Sequence, residues 1–277
     1  MSGLLNKIYY KLENSLWWLL KYRKEDIPGE FKNNMHYAAW YRSDRESLIK
    51  YEGIHKDEDC FIVGNGPSLN KTDLTLLNGY HVFGLNKIQM IFEKQKFDLS
   101  YHVTVNDLVI DQIDNELNEN AFNCPSFISY AHSRNKNYKN PMVNKILTNG
   151  RWSFYPSILE PISEGYTVTY VAMQIAFYMG FKNVFLVGVD HSFQQKGKAN
   201  QEQTLKEDDQ NHFHPDYFKG QQWHLADLEG SEASFALAKH QFHFAGRNII
   251  DATVDGKLTI FEKMKYEDAL KVAKKKK

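Results

Sequence analysis

The residues best suited to chemistry fall in a few short stretches. Gly64-Asn65-Gly66-Pro67-Ser68-Leu69 follows the apolar run Cys60–Val63 and precedes a helix-like segment. Glycines let backbone amides come close to an anion, and a helix N-terminus beyond them adds donors and a favourable dipole. Pro67 suits a first helical position and Ser68 a cap. Gly64, Asn65, Gly66, Pro67 and Ser68 therefore read as a phosphate- or nucleotide-binding turn. The turn is not a P-loop, because no Gly-Lys-Ser/Thr follows, and it is not a G-x-G-x-x-G fingerprint. A plain strand-to-helix turn without a ligand is the alternative.

Two more asparagines stand at expected strand ends, Asn86 after His81–Leu85 and Asn106 after Tyr101–Val105. An uncharged amide that both donates and accepts suits base edges, ribose hydroxyls and phosphate. A further strand ends in Gly188-Val189-Asp190-His191-Ser192, which places Asp190 for a hydroxyl contact, for orienting a histidine or for acid/base work. The polar stretch His212-Phe213-His214-Pro215-Asp216, with His224 and Asp209 nearby, supplies histidines able to take a proton near neutral pH. No Cys/His spacing suggests zinc, and His-x-His with scattered aspartates is a weak metal pattern.

These residues need a frame, and the hydrophobic pattern supplies one. Cys60–Val63, His81–Leu85, Leu99–Val105, Ser126–Tyr130, Val184–Val189 and Asn248–Ala252 read as strands. Thr167–Met179, closed by Gly180, and Glu229–Ala245, closed by Gly246, read as helices. The alternation predicts an α/β fold, a single Rossmann-like domain with a mainly parallel sheet. Asn65, Asn86, Asn106 and Asp190 would then share the rim formed by the carboxyl ends of the strands. Residues 194–227 lack a hydrophobic period, and so long a polar segment reads as a functional loop or lid.

The ends have a different character. Leu4, Leu5, Ile8, Leu12, Leu16, Leu19 and Leu20 recur at helical spacing beside Trp17, Trp18 and several lysines. Such an amphipathic helix would lie on an anionic membrane or pack on protein, its own or a second copy. A short helix is expected around Tyr41–Tyr51 in an otherwise irregular connector. The expected division is 1–58 as helix and connector, 59–262 as the nucleotide-binding catalytic domain, and 263–277 as a lysine-rich tail.

Lys+Arg and Asp+Glu both number 34, which argues against nucleic-acid binding driven by bulk charge. Two cysteines, no membrane-length apolar run and no signal-peptide pattern imply a reducing, cytoplasmic setting, with peripheral contact to the inner face of the membrane as an extension.

Ile62-Val63-Gly64-Asn65-Gly66-Pro67-Ser68-Leu69 resembles the opening motif of the bacterial sialyltransferases of glycosyltransferase family forty-two. The stretch from Thr167 to Asp190 is similar to that family's helix, strand and Gly-x-Asp turn. Related signatures occur in a broader family of proteins like archaeal 6-hydroxymethylpterin diphosphokinase, often products of polysaccharide gene clusters. His212 to Phe218 and Asp251 to Leu258 resemble that broader family more closely. The likeness covers about residues 59–262.

It implies that Gly64, Asn65, Gly66, Pro67 and Ser68, with Thr167, Thr169, His191 and Ser192, hold phosphate and ribose, while Asn86 and Asn106 read the cytidine and sugar. It implies inverting transfer of an acid sugar, sialic acid-like or 3-deoxy-octulosonic acid-like, from a CMP donor to a glycan or lipid-linked glycan. It implies that no metal or other cofactor takes part. His214 or His212 would be the base, with Asp190 and Asp216 beside the chemistry and His224 close by. The family's Gly-His pair is absent, and His191-Ser192 stands where an aromatic pair is expected. The competing expectations are a magnesium-dependent phosphotransferase using ATP, with Asp107 or Asp190 on the metal, and a non-catalytic nucleotide-binding protein of envelope assembly.

Overall fold

The protein is described by a computed structural model over residues 35–194 and 197–276. The expected helix over 4–22 lies outside the described residues. Eight strands form one sheet in the order β12-β11-β8-β1-β2-β3-β4-β5. They are β1 (Asp59–Val63), β2 (His81–Leu85), β3 (Tyr101–Thr104), β4 (Ser126–Ser129), β5 (Val143–Ile146), β8 (Asn183–Val187), β11 (Asn248–Asp251) and β12 (Glu262–Lys263). All seven pairings are parallel. The α/β reading with a mainly parallel sheet is therefore correct, and β2 spans the residues expected of it.

The sequence of β1 shows why this sheet is buried on both sides. Cys60 and Ile62 belong to one apolar cluster, and Phe61 and Val63 to the other. Side chains alternate across a strand, so an unbroken apolar run supplies both faces. The main helix on the first face is α6 (Val168–Met179), in which ten of the twelve residues are buried. The Thr167 hydroxyl caps it, and Gly180, left-handed at φ 95°, ends it. The second long helix is α7 (Leu228–Phe244), capped by the Asp227 carboxylate on Gly230 N.

The smaller elements serve position. α1 (Met35–Ser43) and α2 (Arg45–Ile49) lead into β1, and Tyr37, Trp40 and Leu48 from them enter the core. α3 (Asp107–Gln112) and α4 (Asp114–Asn118) follow β3, and α5 (Tyr130–Ser133) follows β4. A two-stranded pair, β6 (Thr148–Asn149) and β7 (Ile162–Ser163), precedes α6. The long polar segment carries an antiparallel pair, β9 (Glu202–Thr204) and β10 (Gln222–His224). Residues assigned to the lysine tail are built in: Lys263 belongs to the edge strand β12, and α8 (Tyr266–Val272) buries Tyr266 and Ala269. Lys274 N donates to Asp59 Oδ2 at 2.9 Å. Among the described residues, no helix is long and apolar enough to cross a membrane.

Candidate functional site

From β1 the chain steps outward through β2 to β5 in one direction, and from β8 through β11 to β12 in the other. In open α/β sheets, the crevice beyond the carboxyl ends at such a reversal is where ligands bind. A cavity of about 560 Å³ opens there, and Asn65, Asn86 and Asn106 all line it, as do Asp190, His191 and Ser192. The three strand-end asparagines thus converge as expected.

Gly64 and Gly66 of the glycine turn also line the cavity, and several amides of the turn are engaged within the protein. Gly64 N donates to Val187 O at 2.8 Å, and Gly66 N to Gly188 O at 2.9 Å. The Asp190 carboxylate accepts from Ser68 N at 3.0 Å and from Ser68 Oγ at 2.6 Å. These amides are occupied by the protein's own acceptors. The glycines are required because the β1 and β8 turns touch, a Cβ on Gly64 falling 2.5 Å from Gly188 O. Pro67 opens a five-residue 3-10 turn, Pro67–Lys71, in place of a full helix. Pro67 and Ser68 do not line the cavity; Ser68 lies behind Asp190. Burial raises the Asp190 carboxyl above its ordinary value, and the Ser68 hydrogen bonds oppose that rise.

Anion-binding potential lies instead on two other elements. Thr167, Val168 and Thr169 at the start of α6, and Asp227, Leu228 and Ser231 at the start of α7, line the cavity. The positive ends of both helices therefore open on it. At α7 a carboxylate already caps the end, whereas at α6 the cap is the neutral Thr167 hydroxyl. No lysine or arginine lines the cavity among the described residues.

The asparagines differ in how far they are engaged. Asn106 Oδ1 caps α3 at Val109 N, and its Nδ2 donates to His224 Nδ1 at 3.0 Å. Asn86, left-handed at φ 49°, accepts from Thr104 Oγ1 at 3.1 Å. Asn65 Oδ1 is buried with no hydrogen-bond partner, and so is Trp223 Nε1, another cavity-lining group. A buried acceptor and a buried donor left unpaired each cost about 1–3 kcal/mol in the free protein.

The histidines separate clearly. Phe213 N donates to Asn65 O, and Asn70 Nδ2 to Phe213 O, which ties residues 211–218 to the glycine turn. His212 consequently lines the cavity, its Nδ1 donating to the buried Asp209 Oδ2 at 2.8 Å and its ring stacked on Tyr217 at 4.2 Å. His214 turns away, accepting from Asp216 N, and Asp216 is exposed; neither lines the cavity. His191 Nε2 pairs with Glu232 Oε1 at 2.9 Å.

One pair was not foreseen. His132 on α5 lines the cavity with Nε2 3.5 Å from Glu164 Oε1, and the Glu164 contact raises the imidazole pKa above its ordinary value. His132 and Glu164 come from elements far apart in the chain, so no spacing betrayed them. Lys87, next to Asn86, is also buried; its ammonium donates to Tyr217 O and Gln221 Oε1, holding the polar segment over the sheet. Burial lowers its pKa to about 8.

The family profile described as 6-hydroxymethylpterin diphosphokinase MptE-like matches residues 31–196, more than half of the chain. This chain belongs to the MptE-like family. The matched part of this MptE-like protein includes the glycine turn, all three asparagines, His132, Glu164 and Asp190. No curated protein sequence matches it. Among solved structures, the MAf glycosyltransferase of Magnetospirillum magneticum AMB-1 superposes with a TM-score of 0.50 at 13% identity, over 87% of this chain and 39% of that one. The chain thus spans about two-fifths of that enzyme's length. The sialyltransferase CstII of Campylobacter jejuni, solved with cytidine-5'-monophosphate, gives a TM-score of 0.43 at 12% identity, over 76% of this chain and 85% of that one.

Proposed function

We propose that this MptE-like protein is a glycosyltransferase that moves an acid sugar from a CMP donor to a glycan acceptor, without a metal ion. The observation that carries the reading is the convergence of Asn65, Asn86 and Asn106 on one crevice at the carboxyl ends of the strands. Their side-chain amides suit the amino and hydroxyl groups of a nucleoside. The α6 N-terminus, with its neutral cap, suits the donor phosphate, and a protonated His132 beside it offsets charge as CMP departs. A fold shared with the MAf glycosyltransferase is compatible with this chemistry, as an analogy of architecture.

In the proposed reaction the acceptor hydroxyl oxygen bonds to the anomeric carbon as the bond from that carbon to the CMP phosphate oxygen breaks. His212 Nε2 takes the hydroxyl proton, and CMP leaves with the bonding electron pair. Asp209 fixes the tautomer by accepting from Nδ1 and stabilises the imidazolium that forms. His212 takes this role in preference to His214 because it faces the cavity. The exposed Trp152 and Tyr166, joined by a 2.8 Å hydrogen bond and set edge to face, would offer a sugar acceptor aromatic faces, since Tyr166 also lines the cavity. A lipid-linked acceptor would be met at an anionic membrane surface.

A second reading has its own support, since the family's description names a diphosphokinase. Against it, Asp190 is held by Ser68, Asp107 on the cavity accepts from Leu108 N, Glu164 lies against His132, and Asp227 caps α7. Calorimetry with CMP, CDP, UDP, GDP and ATP, with and without magnesium, separates the two. Selective CMP binding without magnesium supports glycosyl transfer. Selective ATP binding that requires magnesium overturns it.

A further inference from the structure

On the opposite rim of the sheet, away from the crevice, three side chains converge. His55 and Glu58 lie in the connector between α2 and β1, and His81 opens β2. Glu58 Oε2 is 2.7 Å from His55 Nδ1 and 3.0 Å from His81 Nε2, and one donor atom from each residue falls within 4.8 Å of the others. We propose that His55, Glu58 and His81 form a binding site for a divalent transition-metal ion, with zinc the best match to the donor set.

Two imidazoles and one carboxylate form a recurrent three-residue zinc set, with water completing a tetrahedron. Ligands about 2.0–2.1 Å from zinc stand roughly 3.3 Å apart, so the two His–Glu contacts would open by about half an ångström to admit the ion. The protonation states suit ligation. Burial lowers the pKa of His55, and lowers that of His81 to about 4, so both rings keep a free lone pair at neutral pH. Burial acts to raise the Glu58 carboxyl, but hydrogen bonding and charge from the two histidines bring it below its ordinary value. Tyr101 OH sits 2.6 Å from His55 Nε2, the outer contact that orients a metal-binding imidazole. The side chains are 12–20% exposed, which leaves a path for the ion and its water.

The site would act on the fold and not on the crevice chemistry. Gly53 N, His55 N and Asp57 N donate to Tyr178 O, Met179 O and Gly180 O at the end of α6. An ion held by His55, Glu58 and His81 would join that connector to β2, and through Tyr101 to β3. The inference is independent of the glycosyltransferase reading.

Zinc titration of the metal-free full chain by calorimetry tests it, with cobalt(II) as a spectroscopic probe. The expected result is one ion at micromolar Kd or tighter, a raised Tm with zinc, and the strong d–d absorption of tetrahedral cobalt. His81→Gln and Glu58→Gln should each weaken binding at least tenfold, and Tyr101→Phe by about tenfold. His240 and His243 on α7 provide an unrelated pair, and replacing both with Ala should change nothing. Absence of the tetrahedral band in the unmodified protein, or loss of binding with the His240/His243 variant alone, overturns the proposal. The spectrum decides the matter even if a ligand variant fails to fold.

Discussion

The Asp190 carboxylate fills the turn that Gly66 leaves open: a Cβ on Gly66 would lie 1.8 Å from Asp190 Oδ2. Two strand-end turns thereby interlock at the head of the crevice, with Ser68 N and Oγ as donors. Gly66→Ala should expel the carboxylate and destabilise the protein by about 2–4 kcal/mol, the range for strain combined with a broken buried network. Ser68→Ala, which leaves the backbone donor in place, should cost about 1–2 kcal/mol. Urea unfolding of both variants checks the order, and a Gly66→Ala protein as stable as the parent would contradict the interlock.

Asn65 should show the reverse coupling of stability and binding. Its unpaired Oδ1 is a cost in the free protein. Asn65→Ala removes the orphan acceptor and should leave stability unchanged or raise it by about 1 kcal/mol, while weakening nucleotide binding about tenfold. Paired thermal-shift and calorimetric measurements test both halves. A variant that loses stability and keeps its nucleotide affinity would show the amide to be structural.

The Glu164 contact, which raises the His132 pKa, makes a directional pH prediction. If protonated His132 supports departure of the phosphate, activity should fall as pH rises through that elevated pKa. Glu164→Gln removes the raising contact, so the alkaline limb of kcat against pH should move to lower pH. His132→Gln should lower kcat by roughly 10²-fold or more, in the range for removing one electrostatic stabiliser. A limb that stays in place in Glu164→Gln would separate His132 from the profile.

Why some of this was legible in the sequence and some was not follows from the range of the interactions. β1, β2 and α6 announce themselves through short apolar runs and local caps, such as Thr167 and Gly180, which depend on neighbours in sequence. The convergence of Asn65, Asn86 and Asn106 followed from strand ends in a parallel sheet. The internal partners of the glycine turn were not legible, because Val187 O, Gly188 O and Asp190 reach its amides across more than 120 residues. His132 with Glu164, and His212 facing inward while His214 faces outward, depend on loop paths that no periodicity encodes. β5, whose burial alternates, and the edge strand β12 carry too little apolar sequence to stand out.

His102 gives the clearest pH dependence of stability. It is fully buried on β3, its Nε2 donates to Asn86 O at 2.7 Å, its ring stacks on Phe122 at 3.6 Å, and its Nδ1 has no partner. Burial lowers its folded pKa to about 4, against an unfolded value near 6.5. Because the folded value is the depressed one, the unfolded chain binds the proton more readily between these limits. The stability contribution is therefore fully present above pH 6.5 and is lost as pH falls toward 4, by about 3 kcal/mol at 1.36 kcal/mol per unit. His81, lowered to about 4 as well, acts in the same window, and His55, also lowered by burial, acts in the same direction. Denaturant unfolding from pH 7 to pH 4 should thus show a steep loss of stability. In His102→Gln the slope should shrink by about one proton without vanishing, since the two rim histidines remain. An unchanged slope would mean that His102 takes up its proton within the folded protein, and the packing of its ring on Phe122 would then need another explanation.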